Sequence, residues 1–197
     1  MKILIIGAAG SLAHYVINDL LENTNCDLIL FLRNAYRLNH LNSNSRITII
    51  EGDIKDNDKL QQAMKNIDVV YVNISGEMEL LTKLIIDSMI QNKISRGIFI
   101  NTCGIYNEIN LKSSFSSLIE PYKKAAQLIE NSSLNYTIIR PCWFSNKDEI
   151  NYEITYRNDK FKNPNGLISR KSIADLVRKC IVDNIGIRDS LGINPKK

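Results

Sequence analysis

Six short apolar runs, rich in isoleucine, valine and leucine, punctuate the chain at residues 3–6, 28–32, 46–53, 67–73, 97–102 and 136–141. Runs this short, with little alternation of apolar and polar positions, read as strands of a parallel sheet buried on both faces. Between them the period changes. Leu80, Leu81, Leu84, Ile85, Met89 and Ile90 recur three and four apart, which marks one buried face of a helix over residues 77–92. Similar patterns predict helices from near Ser11, over 56–65 with an Asp-rich start, over 118–131 and over about 171–184. The Asn- and Ser-rich residues 39–45 read as a loop, and Pro141 stops the sixth strand. Strands and helices that alternate in this way imply an α/β fold. Each helix must bury its apolar stripe, so a doubly wound parallel sheet is covered on both faces, giving three layers, α/β/α.

Composition narrows the picture. A chain of 197 residues with 44% hydrophobic content supports one substantial core, hence a single domain, with residues 142–170 as a small C-terminal region on the substrate side. The net charge of +4 is dispersed, with pairs such as Lys123-Lys124 and Arg170-Lys171 and no long basic run, so nucleic acid is not an expected partner. No apolar stretch approaches the roughly 18 residues of a membrane span. Met1-Lys2-Ile3 leads into a glycine turn without a cleavage pattern, so no membrane association and a cytoplasmic location are expected. The four cysteines, Cys26, Cys103, Cys142 and Cys180, form no C-x-x-C pair and read as buried thiols, not as a zinc site or disulfide framework. His14 and His40 read as structural or solvated. Nothing in the sequence fixes the oligomeric state.

In a doubly wound sheet, ligands sit at the carboxyl ends of the strands. The first such end is Gly7-Ala-Ala-Gly10-Ser-Leu-Ala13. A glycine lets the chain turn tightly, a second keeps side-chain bulk away from a pyrophosphate, and the following helix points free N–H groups and its positive dipole end at that anion. The pattern G-x-x-G-x-x-G lacks only its third glycine, whose helix-packing role alanine can fill. This is the signature of a Rossmann-like sheet, with Gly7, Ala9, Gly10, Ser11, Leu12 and Ala13 as cofactor-binding candidates. The second strand ends at Arg33, about 20 residues further on, where an acidic residue would select NAD through its ribose 2′-hydroxyl. Arginine suits a 2′-phosphate through a forked, charge-assisted contact, so NADP(H) is preferred over NAD(H); an ordinary solvated arginine is the competing reading.

Together these pieces resemble the atypical short-chain dehydrogenase/reductase superfamily, in particular its small NAD(P)H-binding branch of NmrA-like proteins and flavin and biliverdin reductases. The likeness is carried by Gly7-Ala-Ala-Gly10, Glu51-Gly-Asp53, Asp68-Val-Val, Asn135-Tyr-Thr-Ile-Ile-Arg-Pro141 and Ile168-Ser-Arg-Lys-Ser-Ile-Ala-Asp175. The resemblance implies that Asp53 bonds the adenine amino group while Ile54 lines the base. Asn73, Ile74, Ser75 and Gly76 would run beside the ribose and diphosphate, and Asn101, Thr102 and Cys103 under the nicotinamide. Small polar residues also occur at strand ends merely to turn the chain, so a structural reading competes at each.

Many members of the superfamily use a Tyr-x-x-x-Lys pair, in which the lysine lowers the tyrosine pKa and binds the nicotinamide ribose. Matching Lys123-Lys124-Ala-Ala-Gln127 to the family's segment places Lys123 at the lysine position and Ile119 at the tyrosine position. Tyr122 is adjacent to Lys123 and faces elsewhere on a helix. Without that acid, alcohol dehydrogenation and epimerisation lose their proton relay. A conjugated acceptor of flavin or quinone type takes its proton from solvent, which favours an NADPH-dependent reductase of such a small molecule. Lys123 and Tyr106 are the catalytic candidates, Tyr106 as the remaining proton donor, with a solvated lysine pair as the alternative. Trp143 and Phe144 are candidates for an apolar floor under the acceptor, in competition with core packing. A second hypothesis from another class is a non-catalytic, NmrA-like sensor that binds NADP and docks to a protein partner.

Overall fold

The computed structural model describes residues 1–109 and 113–196. The first strand, β1 (Lys2–Ile6), enters helix α1 (Ser11–Asn23), and β2 (Asp27–Leu32) is followed by a 3₁₀ turn at Ala35–Leu41. Then come β3 (Ile47–Glu51), α2 (Asn57–Ala63), β4 (Val69–Val72), α3 (Met78–Gln91), β5 (Arg96–Ile100), α4 (Ser113–Glu130) and β6 (Asn135–Pro141). The C-terminal region adds β7 (Phe144–Ser145), β8 (Glu153–Thr155), β9 (Ile168–Ser169), α5 (Arg170–Val182) and β10 (Asp189–Asn194). Strand order is β3-β2-β1-β4-β5-β6-β10-β8, and β7 pairs with β9 separately. The order reverses between β1 and β4, the place where a doubly wound sheet opens a crevice at its carboxyl edge.

Two apolar layers hold the sheet between helices. On one face Ile3, Ile5, Leu28, Leu30 and Ile98 pack with Val16 and Leu20 of α1 and Ile173 and Val177 of α5. On the other, Leu4, Ile6, Val70, Val72 and Phe99 pack with Leu60 of α2, Ile85 and Met89 of α3, and Ala126 and Ile129 of α4. Alternate residues of each strand go to opposite layers, as a pleat requires. Ala13, at the third glycine position, is fully buried in the first layer. Its methyl gains about 0.8 kcal/mol of burial where glycine would gain closer backbone approach.

The sheet extends two strands beyond the six that the apolar pattern marks. β10 continues the parallel array beside β6, with Leu191 opposite Ile139, whereas β8 runs antiparallel on its outer edge. The sheet is therefore mostly rather than wholly parallel. β10 reads Asp-Ser-Leu-Gly-Ile-Asn, a polar sequence whose buried polar groups are satisfied by partners remote in the chain. Ser190 accepts through Oγ from Arg140 Nε at 3.0 Å, and Asn194 Nδ2 donates to Glu153 Oε1 at 2.9 Å. A Cβ on Gly192 would lie 2.4 Å from the Phe161 ring, so only glycine leaves room for that aromatic cover.

Arg140 on β6 is completely buried and ties this extension to the core. Its guanidinium bonds Glu108, donates to Ser190 O at 3.1 Å and Thr155 O at 3.3 Å, and lies over the Tyr106 and Phe161 rings. Among the described residues, no helix is long and apolar enough to cross a membrane.

Candidate functional site

The carboxyl ends of β1 to β4 open into a groove of about 760 Å³. Its centre is the turn after β1, where Gly7 has φ +78° and a Cβ would sit 2.1 Å from the Asn73 carbonyl oxygen. A Cβ on Gly10 would lie 2.4 Å from Asn73 Nδ2. Gly7 is thus demanded by the backbone of the β4 strand end, Gly10 leaves room for the Asn73 amide, and neither puts a side chain of its own into the groove.

The head of α1 is left open. Gly10 is its N-cap and offers no side-chain acceptor, and no acidic residue lies in the first turn. Two other helices carry side-chain caps, Asp56 accepting from the Lys59 N–H at 3.1 Å on α2 and Ser169 from the Ser172 N–H at 3.0 Å on α5, whereas α3 has none and, unlike α1, carries an acid, Glu79, in its first turn. Ser11, Leu12 and Ala13, the first-turn residues, therefore keep N–H groups free for an anion, with the positive end of the helix dipole behind them. A cradle without side chains beneath an uncapped helix fits a nucleotide diphosphate.

At one end of the groove stand two guanidiniums. Arg33 follows β2 and is exposed, while Arg37, on the 3₁₀ turn, donates from Nη2 to the Ala9 carbonyl at 3.2 Å. Among the described residues, neither pairs with a carboxylate within 4.0 Å. Glu51, the nearest acid along the β3 edge, accepts from the Ala35 N–H at 2.6 Å and so braces the turn that carries Arg37. Asp53 and Ile54 line the groove beyond β3, and Asp53 Oδ1 accepts from the Lys55 N–H at 2.9 Å, leaving its other oxygen available. Phe31 is buried in the core layer beneath the groove, admitted because Gly52 has no Cβ, which would sit 2.7 Å from the ring. Lys55 and Glu77 form an ion pair at 2.5 Å between the loops after β3 and β4. Both are at least half exposed, so the pair is weakly held and opens at little cost.

Ten of the predicted residues line this groove together: Gly7, Ala9, Gly10, Arg33, Asp53, Ile54, Asn73, Ile74, Ser75 and Gly76. Arg37, Phe31 and Lys55 were not singled out by the sequence reading. Arg37 carried one signal, its i+4 spacing from Arg33 just past a strand.

The remaining candidates lie outside the groove lining. Asn101 is buried at the end of β5, donates from Nδ2 to Tyr122 O at 3.2 Å and accepts from the Thr102 N–H at 2.8 Å, so it fastens α4 to the strand end. Cys103 is buried and its N–H donates to Pro141 O at 3.1 Å. Lys123 is half-buried on α4, one turn beyond the buried Ile119. Trp143 and Phe144 are 63% and 37% exposed, which removes core packing as their role. Arg170 lies over the Phe144 ring at 5.0 Å.

Tyr106 departs from the proton-donor role expected of it. Its hydroxyl donates to Glu130 Oε1 at 2.5 Å, and its ring lies between Arg140 at 5.0 Å and Arg157 at 4.8 Å. Burial, then the Glu130 carboxylate, push its pKa well above the ordinary phenol range. The sequence could not show this, because Glu130 lies 24 residues away on another element. Among the described residues, no group of three His, Cys, Asp or Glu side chains is placed to hold a metal ion.

A mostly parallel sheet whose switch point carries a glycine cradle, an uncapped helix and a cationic end defines a dinucleotide-binding domain of the Rossmann type. The family model described as NAD(P)H-binding matches residues 7–184. The chain therefore belongs to that NAD(P)H-binding family, with an oxidoreductase fold of the short-chain dehydrogenase/reductase kind. A Rossmann-fold NAD(P)-binding family protein from Shigella flexneri is 34% identical, with 98% of this chain and 93% of that one covered and a TM-score of 0.85. A short-chain dehydrogenase/reductase (wide type) from Veillonella parvula, solved in complex with NADP, is 26% identical over 98% of this chain and 94% of its own, with a TM-score of 0.88. ChuY, an anaerobillin reductase from Escherichia coli, shares the fold at a TM-score of 0.87 and 16% identity, over 100% of this chain and 98% of its own. No curated protein sequence matches the chain.

Proposed function

We propose that this protein is an NADPH-dependent reductase of a small conjugated acceptor, of flavin or quinone type, working without a Tyr-x-x-x-Lys pair. One observation carries the reading: the open head of α1 over a side-chain-free cradle lies in the same groove as the guanidiniums of Arg33 and Arg37. The first fits a diphosphate and the second a 2′-phosphate, which NADP has and NAD lacks. The Veillonella relative bound to NADP supports the same preference.

In this reading the N–H groups of Ser11, Leu12 and Ala13 hold the diphosphate, and Arg33 with Arg37 holds the 2′-phosphate. The free oxygen of Asp53 accepts from the adenine amino group, Ile54 lines the base, and residues 73–76 follow the ribose and diphosphate. Asn101, Thr102 and Cys103 back the nicotinamide, and Lys123 holds its ribose. When bound, the dinucleotide supplies the hydride. Exposed Trp143 and Phe144 offer flat apolar surface to a conjugated ring. Such a ring takes its proton from water, so the buried Ile119 and the engagement of Tyr106 with Glu130 leave the reaction intact. Free thiols suit a reducing compartment, the cytoplasm. That ChuY, which shares the fold, is an anaerobillin reductase supports a reductase reading.

The same Tyr106–Glu130 bond and the exposed Trp143 favour a second reading, an NADP sensor that docks to a protein partner. Calorimetric titration with NADPH and NADH, followed by reduced-nicotinamide absorbance after adding FMN, riboflavin or simple quinones, separates the two. Tighter NADPH binding with oxidation supports the reductase. Binding without oxidation by any acceptor favours the sensor, and no binding at millimolar dinucleotide removes both.

A further inference from the structure

The sequence shows no cysteine pair, yet the sheet makes one. In the β5–β6 ladder Ile100 lies opposite Ile139, and two bonds continue the pattern past the strands: the Asn101 N–H donates to Ile139 O at 2.9 Å and the Cys103 N–H to Pro141 O at 3.1 Å. In a parallel ladder, a residue whose N–H bonds the carbonyl of one position stands opposite the next position. Cys103 is therefore the register partner of Cys142. Partners on neighbouring strands point to the same face, with Cα atoms about 4.8 Å apart. That spacing falls within the roughly 4.4–6.8 Å that a disulfide spans. The two thiols are free and near enough for each to shift the other's pKa.

We propose that Cys103 and Cys142 form an oxidisable thiol pair, which a peroxide converts into a disulfide joining the carboxyl ends of β5 and β6. The two sulfurs have different duties. The neighbouring Cys142 thiol holds the Cys103 pKa below the ordinary thiol range despite burial, whereas Cys103 and burial together raise Cys142. Of the two, Cys103 ionises more readily and attacks first. Its sulfur bonds one peroxide oxygen, the O–O bond breaks, and the departing hydroxide takes a proton to leave as water. The Cys142 sulfur then attacks the sulfenic sulfur of Cys103, the S–O bond breaks, and the oxygen leaves as a second water with the Cys142 proton. Two thiols lose two electrons in all, and one peroxide gains them. Cys142 is half-buried, so a small oxidant reaches the pair from its side, whereas Cys26 and Cys180 are buried apart from it.

The test uses the whole reduced protein treated with hydrogen peroxide, then alkylated under denaturing conditions and digested without reductant for mass spectrometry. The expected product is one peptide linked through Cys103 and Cys142, lighter by two hydrogens, with Cys26 and Cys180 recovered alkylated. Cys142→Ser should lose the link and leave a sulfenic acid on Cys103 that dimedone traps. A second measurement needs no variant: phenylarsine oxide, which bridges neighbouring thiols, should protect Cys103 and Cys142 together from later alkylation. Recovery of both as free thiols after peroxide, a link through Cys26 or Cys180, sulfinic acid on Cys103 without a link, or no protection by the arsenical would each overturn the proposal.

Discussion

Arg33 and Arg37 show what a single position in this chain can and cannot announce. Arg33 is legible because it ends an apolar run at a set distance past the glycine turn. Arg37 is placed by a 3₁₀ turn that has no periodic signature, and is fastened by a bond to Ala9, 28 residues earlier. In Arg33→Asp, the cation proposed to meet a 2′-phosphate becomes an anion. A hydrogen bond to a charged group is worth about 1.5–3 kcal/mol, so NADPH affinity should fall about 10- to 100-fold and the order of NADPH and NADH should reverse. Calorimetry on the folded variant checks this, and an unchanged preference would remove Arg33 from cofactor choice. Arg140 belongs to stability. Glu108→Leu leaves its buried guanidinium without a counter-charge, a loss of about 3–5 kcal/mol that urea unfolding measures, with two bonds to Ser190 and one to Thr155 remaining. Loss below 1 kcal/mol would show that the carboxylate is dispensable.

Elements that bury an apolar stripe or run were legible, and elements defined by their partners were not. The six apolar strands and the five helices appear within a few residues of where periodicity places them, because each must bury a continuous surface. β10 is invisible to that logic: its polar groups are bought in by Arg140 and Glu153, and its glycine by Phe161. β8 is short and pairs only through β10, so it inherits the same obscurity. Helix α5, which leads into β10, is tied to α1 by Arg178, whose guanidinium bonds Asp19 at 2.8 Å and Asp175 at 2.5 Å. Asp175 also accepts from the Tyr152 hydroxyl at 2.7 Å and pairs with Lys179 at 2.8 Å. Burial pushes its pKa up, but Lys179, Tyr152 and Arg178 outweigh burial and hold it below the ordinary carboxylate range. A carboxylate depressed on folding stabilises fully above its unfolded pKa, about 3.9, and that contribution is lost as pH falls through the folded value. Asp175→Asn should therefore cost about 1–3 kcal/mol at neutral pH, with the gap to wild type closing below about pH 4. Chemical denaturation across pH checks this, and a gap independent of pH would assign the loss to packing.

For the whole molecule, the groove couples chain segments far apart in sequence: the turn after β1, the turn after β2, and the loops after β3 and β4 all meet at one carboxyl edge. That convergence was legible as topology, since a doubly wound sheet brings those ends together whatever their loops contain. The arrangement beyond β5 was not, because Asn101 is fastened to α4 through the Tyr122 carbonyl and Tyr106 through Glu130, contacts that the strand leading into them does not announce. A ligand that bridges all four loops binds the folded chain and has no site on the unfolded one. At 100 times its dissociation constant it adds about 2.7 kcal/mol to stability. For a chain of this length, each kcal/mol raises Tm by about 2–4 °C, so NADPH at that level should raise it by about 5–11 °C. NADH at the same concentration should raise it less, because Arg33 and Arg37 then face a hydroxyl. Thermal scans with each nucleotide, and with adenosine 2′-monophosphate as a fragment whose one phosphate addresses the cationic end of the groove, measure the contributions separately. Equal shifts from NADPH and NADH would mean that the two guanidiniums do not read the phosphate. A fragment that gives no shift beside a full NADPH shift would move the source of affinity to the open head of α1.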